Sequence, residues 1–275
     1  MLRDRKMSKA KPMRHMKHTF GFYVVFLKDE VGCNLVYGHQ RYDYQKGSIV
    51  CLAPGQVIGI EDTRETFLPQ GWALCFDPEL IHGTSLGHNI KEYSYFSYNV
   101  NEALLLSEKE RTLFVDSLQK IQAETGHSIG RLSKRLISMN IDLLLGYCLR
   151  FYERQFITRE PMNRSVLARF ETLLDKYFSS NKPSLYGLPT VTYCAGELCL
   201  SPNYFGDMIK SETGMTAKEH IRLKTISMAK EQLVGTCKSI SQVSYDLGFQ
   251  YPHHFTRMFK QAVGKTPNEY RAEKS

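Results

Sequence analysis

The chain of 275 residues has a single tryptophan and no apolar run approaching the ~18–20 residues that a membrane-spanning helix requires, so no membrane partner is expected. Its seven cysteines are Cys33, Cys51, Cys75, Cys148, Cys194, Cys199 and Cys237. Their number is odd and no C-x-x-C occurs, which argues against a disulfide framework and a zinc ribbon and for a reducing cytoplasm. Most of them read as small core residues. No H-x-H is present, and His39, His82 and His88 are scattered. Nucleophile elbow, phosphate loop and dinucleotide fingerprint are all missing. Gly83-Thr84-Ser85-Leu86-Gly87 has two glycines but no lysine and reads as a turn. These absences leave no catalytic residue, cofactor or metal to name. They point away from an enzyme.

What is present bounds the answer from the other side. Hydrophobic residues make up 42% and aromatics 12% of the chain, ample for packed cores. The length suggests about two domains. The net charge of +8 is unevenly spread. Residues 1–17 hold Arg3, Arg5, Lys6, Lys9, Lys11, Arg14 and Lys17 against Asp4 alone, without the apolar core of a secretory signal. That stretch reads as a frayed basic tail, with a backbone-contacting DNA arm as the alternative. Residues 165–275 hold 14 basic and 10 acidic side chains, a balance that fits phosphate contact without requiring it.

Along residues 18 to about 98, short β-rich runs alternate with Gly, Pro and Asp turns: Phe20–Leu27, Leu35–Tyr37, Ser48–Ala53, Val57–Ile60, Trp72–Phe76 and Tyr93–Phe96. No helical pattern separates them, so the spacing predicts an antiparallel barrel or sandwich rather than a parallel sheet. Near Asn101 the period changes. Leu104, Leu105, Phe114, Leu118 and Ile121 predict a helix over 102–124, and Leu132, Leu136, Met139, Leu143, Tyr147 and Phe151 a second over 129–156. That second stripe fits either a homodimer seam or burial against the same chain. Arg159-Glu160-Pro161 breaks the pattern and marks a linker. A further helix follows, carrying Val166, Phe170, Leu173, Leu174 and Tyr177.

The last part of the chain contains one helix-turn-helix pattern twice. Phe205/Phe255, Met208/Met258, Lys210/Lys260, Gly214/Gly264 and Thr216/Thr266 each sit 50 residues apart, and Ala195/Ser244 and Leu198/Leu247 sit 49 apart. The second turn is therefore one residue longer. In such a unit the second helix enters the DNA major groove. Ser201 is suited to an N-cap and Pro202 to the first helical turn, with Phe205 and Met208-Ile209 facing inward. Asn203, Gly206, Asp207 and Lys210 then face outward. In the second copy Phe255 and Met258-Phe259 face inward and His253, Thr256, Arg257 and Lys260 outward. Arg257 can bind guanine O6/N7 bidentately, whereas Lys210 and Lys260 suit phosphates. Asp207 is repelled by phosphates and Gly206 offers no side chain, so the second copy is expected to read sequence and the first mainly to anchor. Residues 217–234, with Ile221, Thr225, Met228, Ala229 and Leu233, form one helix joining the copies, with Arg222 and Lys224 as candidate phosphate contacts. Ser201 completes the candidate backbone-contact set.

Ile240-x-x-Val243-Ser244-x-x-Leu247-Gly248-Phe249, then Phe255-Thr256-Arg257-Met258-Phe259-Lys260 and Gly264-Lys265-Thr266-Pro267-Asn268-Glu269-Tyr270-Arg271, resemble the AraC/XylS family of bacterial transcription regulators. The resemblance covers roughly 166–273. It implies an α+β protein, in which an N-terminal cupin-like antiparallel β-barrel with following helices precedes an all-α domain of two helix-turn-helix units joined by a linker helix. The expected division is 1–17 tail, 18–160 sensory or dimerisation domain, and 161–275 DNA-binding domain. Double-stranded DNA, a small-molecule effector, a second copy of the chain and, for an activator, RNA polymerase are the implied partners. Three departures stand out: Cys199 replaces the turn glycine of the first unit, Ser244 a small alanine, and Lys224 an arginine. The first places a side chain at a positive-φ position, a cost of ~1 kcal/mol. The second is expected to be harmless.

Enzymatic cupins resemble one another in a site with two histidines one residue apart. Here His39-x-Arg41 supplies one imidazole, and Gln56 stands where related barrels often carry histidine. A closed barrel can still hold one small molecule. Phe22, Tyr37, Trp72 and Phe76 are the candidate lining residues, with a core role as the alternative. The competing reading is a small-molecule-binding or catalytic cupin barrel whose helix-turn-helix tail only localises it; a third is a protein-interaction adaptor.

Overall fold

A computed structural model describes residues 17–28, 34–37, 40–43, 47–61, 71–99, 102–126 and 132–274. Residues 1–16 of the basic tail, His39 and Cys33 lie outside the described residues, whereas Lys17 begins the first strand. Two compact units meet between Thr158 and Arg159.

The first unit contains two four-stranded sheets in which every paired neighbour is antiparallel. One is built from β1 (Lys17–Thr19), β3 (Asn34–Tyr37), β4 (Gln40–Asp43) and β6 (Val57–Glu61), in the order β1-β6-β3-β4. The other takes β2 (Tyr23–Lys28), β5 (Ser48–Leu52), β7 (Gly71–Phe76) and β8 (Leu104–Leu105), in the order β7-β2-β5-β8. β5 is buried along its whole length, which suits its continuous Ser-Ile-Val-Cys-Leu run between two partners. β2 runs one residue past the predicted Phe20–Leu27, to Lys28, which is itself buried.

Short helices α1 (Pro78–Ile81) and α2 (Ser85–Asn89) follow, then α3 (Glu108–Gly126) and α4 (Ser133–Thr158). Three expectations need correction. Gly83–Gly87 is more than a turn, because the Thr84 hydroxyl accepts from Gly87 N (3.2 Å) and caps α2. Tyr93–Phe96, expected as a strand, is not one: Tyr93 caps a 3-10 turn over 90–92, and Ser94–Phe96 lie in a second over 94–97. Tyr95 and Phe96 there are buried side by side, their rings 5.2 Å apart, an arrangement a strand's alternation forbids. Leu104 and Leu105, assigned to the helix stripe, form β8 instead. Their register is held from α4: Gln155 Oε1 accepts from Leu105 N (2.8 Å), Gln155 Nε2 donates to Ala103 O (3.2 Å), and Arg154 donates to Leu105 O (2.6 Å) while gripping both oxygens of Glu110 at 2.9 Å.

The predicted stripe of α4 splits. Ile141, Leu144, Leu145, Cys148, Phe151 and Tyr152 are buried, whereas Leu136, Met139 and Leu143 face solvent, as does Leu132 just before the helix. Of the predicted stripe only Phe151 is buried; periodicity picked out the solvent-facing apolar row, because the buried row beside it repeats near the same helical period.

The second unit is all helix: α5 (Glu160–Phe178), α6 (Lys182–Tyr186), α7 (Val191–Glu197), α8 (Pro202–Thr213), α9 (Ala217–Gly235), α10 (Ile240–Asp246), α11 (Pro252–Val263) and α12 (Pro267–Lys274). Arg159 alone separates α4 from α5, so the expected linker is one residue long. Phe205, Phe255 and Phe259 are fully buried and anchor the core.

Candidate nucleic-acid interface

The duplicated segments fold into two helix pairs whose ends are closed by the same local chemistry. α7 starts on Thr190, whose hydroxyl accepts from Tyr193 N (3.0 Å), and α10 on a capping box between Ser239 and Gln242. α8 and α11 both end on a left-handed glycine, Gly214 (φ 73°) and Gly264 (φ 81°). Two residues later a threonine caps the next helix. Thr216 and Glu219 exchange hydrogen bonds at the start of α9, and Thr266 and Glu269 do so before α12. The repeated Gly-x-Thr is thus a stop followed at once by a start. The same bonds to Thr216 and Thr266 hold the Glu219 and Glu269 carboxyls below their ordinary range.

The pairs differ at their turns. Cys199 adopts φ 60° and is exposed, the single non-glycine positive-φ residue among the described residues. Its counterpart Gly248 (φ 92°) is pressed against another chain segment, where a Cβ would stand 2.6 Å from Gly187 C and 2.9 Å from Gly187 O. Ser244, expected to be harmless, is fully buried and its hydroxyl has no hydrogen-bond partner among the described residues. Alanine there would avoid that desolvation.

The outward faces carry the chemistry. On α8, Asn203 and Lys210 are exposed and Gly206 and Asp207 half-buried. On α11, His253, Arg257 and Lys260 are exposed; Thr256 is half-buried and donates to Pro252 O (3.1 Å). The side chains of Asn203, Lys210, His253, Arg257 and Lys260 make no hydrogen bond or ion pair among the described residues. Arg257 and Lys260 therefore stand as cations available to an outside anion. Arg222 is also exposed.

Two of the expected backbone contacts are corrected. Ser201 is buried, its hydroxyl accepting from Tyr204 N (3.3 Å), so it serves the helix rather than a phosphate. Lys224 is held in an ion pair with Asp175 of α5. Sequence reasoning missed an aromatic cluster at the start of α11. Tyr251 stacks on His253 (5.6 Å, 29°), and the His253 and His254 rings lie 4.2 Å apart. The signal was the replacement of the capping Ser201 by Tyr251, which leaves α11 without a side-chain cap.

The first unit's candidate ligand residues do not converge. In β2 and β7 the register pairs Tyr23 with Phe76, Val25 with Leu74 and Leu27 with Trp72, placing Trp72 and Phe76 on one sheet face. Phe76 is buried there, stacked on Tyr23 (5.0 Å), which meets Phe96 edge-on (5.1 Å). Phe22 packs with Val24, Val50 and Leu52 on the opposite face. One pocket cannot be lined by both. The side chain of Tyr37 lies outside the described residues. Gln56 is a clamp, accepting from Ala53 N (2.9 Å) and donating to Phe96 O (2.8 Å). His88 bonds Thr84 O (2.7 Å), and no group of three metal-ligating side chains occurs among the described residues. Burial pushes the Cys148 thiol up to about 12 and Cys194 up to about 11, so both stay protonated packing groups.

A family model described as a helix-turn-helix domain matches residues 194–273. The chain carries an AraC-type helix-turn-helix domain. Beyond this AraC-type domain, the HTH-type transcriptional regulator YfiF of Bacillus subtilis (strain 168) is 26% identical over 86% of this chain and 72% of its own length. The HTH-type transcriptional activator RhaR of Salmonella dublin is 30% identical over 37% of this chain and 36% of its own. Among solved structures, the C-terminal domain of AraT, a response regulator from Geobacillus stearothermophilus, is 29% identical, covering 39% of this chain and 84% of that one with a TM-score of 0.35. These relatives are transcriptional regulators rather than enzymes.

Proposed function

We propose that this chain is a sequence-specific regulator of transcription that grips duplex DNA with α8 and α11 of its AraC-type domain. The observation that carries the reading is the face of α11. Arg257 and Lys260 project without a hydrogen bond or ion pair among the described residues, beside the ring-stacked His253 and above a fully buried Phe255 and Phe259. A rigid helix with an apolar underside and unpaired cations on top is what a major groove accepts. Arg257, His253 and Thr256 are assigned base contacts, joined by Asn203, Gly206 and Asp207 on α8. Lys210, Lys260 and Arg222 are assigned phosphates. The two helices then address successive grooves about 34 Å apart.

The first unit, residues 18–158, is read as a cupin-like sensory and dimerisation domain. Leu132, Leu136, Met139 and Leu143, apolar yet exposed near i, i+4, i+7 spacing, support a homodimer seam on α4. A small effector and RNA polymerase complete the partners of an activator. The test is recovery of bound DNA genome-wide from the native organism, followed by titration of the full chain against a recovered 40-base-pair duplex. Affinity that falls steeply with salt, with one enriched sequence, is expected. Recovery of random fragments, or binding indifferent to salt, overturns the reading.

A further inference from the structure

The matched helix-turn-helix region begins at residue 194, yet α5, which precedes it, touches both helix pairs. Near its start, Arg164 faces Glu212 of α8 (3.8 Å). Two turns on, the Phe170 ring meets Phe205 edge-on at 5.0 Å in the core of the first pair. Asp175 then holds Lys224 of α9. At the end, Phe178 is buried among Ile226, Val243, Leu247, Phe255 and Phe259, the core of the second pair. From Phe170 to Phe178 the helix advances about 12 Å.

The segment after α5 continues the contact. Tyr177 donates to Gly187 O (2.8 Å), and Gly187 is the residue on which Gly248 closes. The Tyr177 ring also stands 5.3 Å from Tyr193 of α7, so one side chain touches both the first pair and the loop that seats the second turn.

From these contacts we infer that α5 is a second strut, parallel in role to α9, that fixes the separation and tilt of the two reading helices. Tyr177 and Asp175 are its positioning residues. A single connecting helix leaves each pair able to swing about its flanking loop, at 214–216 on one side and 236–239 on the other. A second helix packed on both pairs, and ion-paired to the first, removes both swings. The inference deepens the proposed double readout, but its test does not need DNA.

The experiment is a pulsed electron–electron distance measurement on the full chain without DNA. Nitroxides are attached at Lys210→p-acetyl-Phe and Lys260→p-acetyl-Phe, so the native cysteines stay untouched. A narrow distance distribution is expected in the parent. In the Asp175→Asn/Tyr177→Phe double variant its width should grow about twofold, while far-ultraviolet circular dichroism keeps parental helix content. A Phe178→Leu variant, which trims the buried ring at one end of the strut only, should shift the mean distance as well as widen it. A folded double variant with parental width and mean overturns the inference. So does a Phe178→Leu protein that melts lower but keeps both values, because a residue serving stability alone behaves that way. A chain that passes this test yet binds no duplex keeps the strut and sinks the double-reader function.

Discussion

The two helix pairs of the AraC-type domain share a scaffold and differ in almost everything mounted on it. Both bury a phenylalanine in the second helix, both stop on a left-handed glycine, and both start the next helix on a Thr–Glu box. The first pair spends Ser201 on capping its reading helix and tolerates a strained, exposed cysteine at its turn. The second leaves α11 uncapped behind Tyr251 and demands glycine at its turn because another backbone lies against it. Local signals closed the helices. Neighbours decided which turn had room for a side chain.

The sharpest way to break that comparison is to add one methyl group at the glycine turn. Gly248→Ala should cost about 3 kcal/mol or more, combining a left-handed L-residue with a Cβ 2.6 Å from Gly187 C. Equilibrium urea unfolding measures it, and a cost below that of an ordinary surface change would contradict the close contact. The reading faces come next. Arg257→Ala is expected to weaken binding to a recovered duplex by about 1–3 kcal/mol and relax preference at one base pair. Asp207→Ala on the other pair should leave affinity unchanged or raise it. Equal losses from both would erase the division into reader and anchor.

Buried Ser244 gives an effect of the opposite sign. Ser244→Ala removes a hydroxyl without a partner and should stabilise the chain by about 1–2 kcal/mol, seen as a raised urea midpoint with unchanged slope. A loss of stability would mean that the hydroxyl is satisfied after all. Cys199→Gly should stabilise by about 0.5–1 kcal/mol, the relief of a positive φ partly offset by glycine's greater unfolded freedom. The smallest effect is acid sensitivity. Folding depresses the Glu219 and Glu269 carboxyls, so their contribution is complete above the unfolded carboxylate range and disappears as pH falls through the folded values. Replacing both by glutamine should flatten the stability profile below pH ~4, the range of an unperturbed glutamate. An unchanged acid limb would assign that loss to other groups.

Much of the second unit was legible in the residues. The 50-residue spacing from Phe205 to Phe255, the Gly-x-Thr stops and the unusual Cys199 turn all concern contacts within a few positions along the chain. Their outcome is set by backbone sterics and nearby donors. The outward faces of α8 and α11 were legible for the same reason, since helical period alone divides buried from exposed positions. Ser201 and Lys224 were misassigned because a hydroxyl or an ammonium looks available until a partner is seen. Tyr204 N and Asp175 are those partners.

In the first unit the sequence alone placed the strands β2, β3, β5, β6 and β7 and the two long helices, but not β1, β4 or β8, nor how the faces combine. Trp72 and Phe76 look like pocket companions of Phe22 until the β2–β7 register puts them on opposite sides. Leu104 and Leu105 look helical until Gln155 and Arg154, some 50 residues later, take up the neighbouring backbone groups. The same holds for Gly248, whose need for glycine comes from Gly187 as much as from its own φ. Periodicity and capping are local and can be read from residue types. Register, partner choice and close approach depend on atoms far apart in the chain, so only the packed tertiary structure decides them.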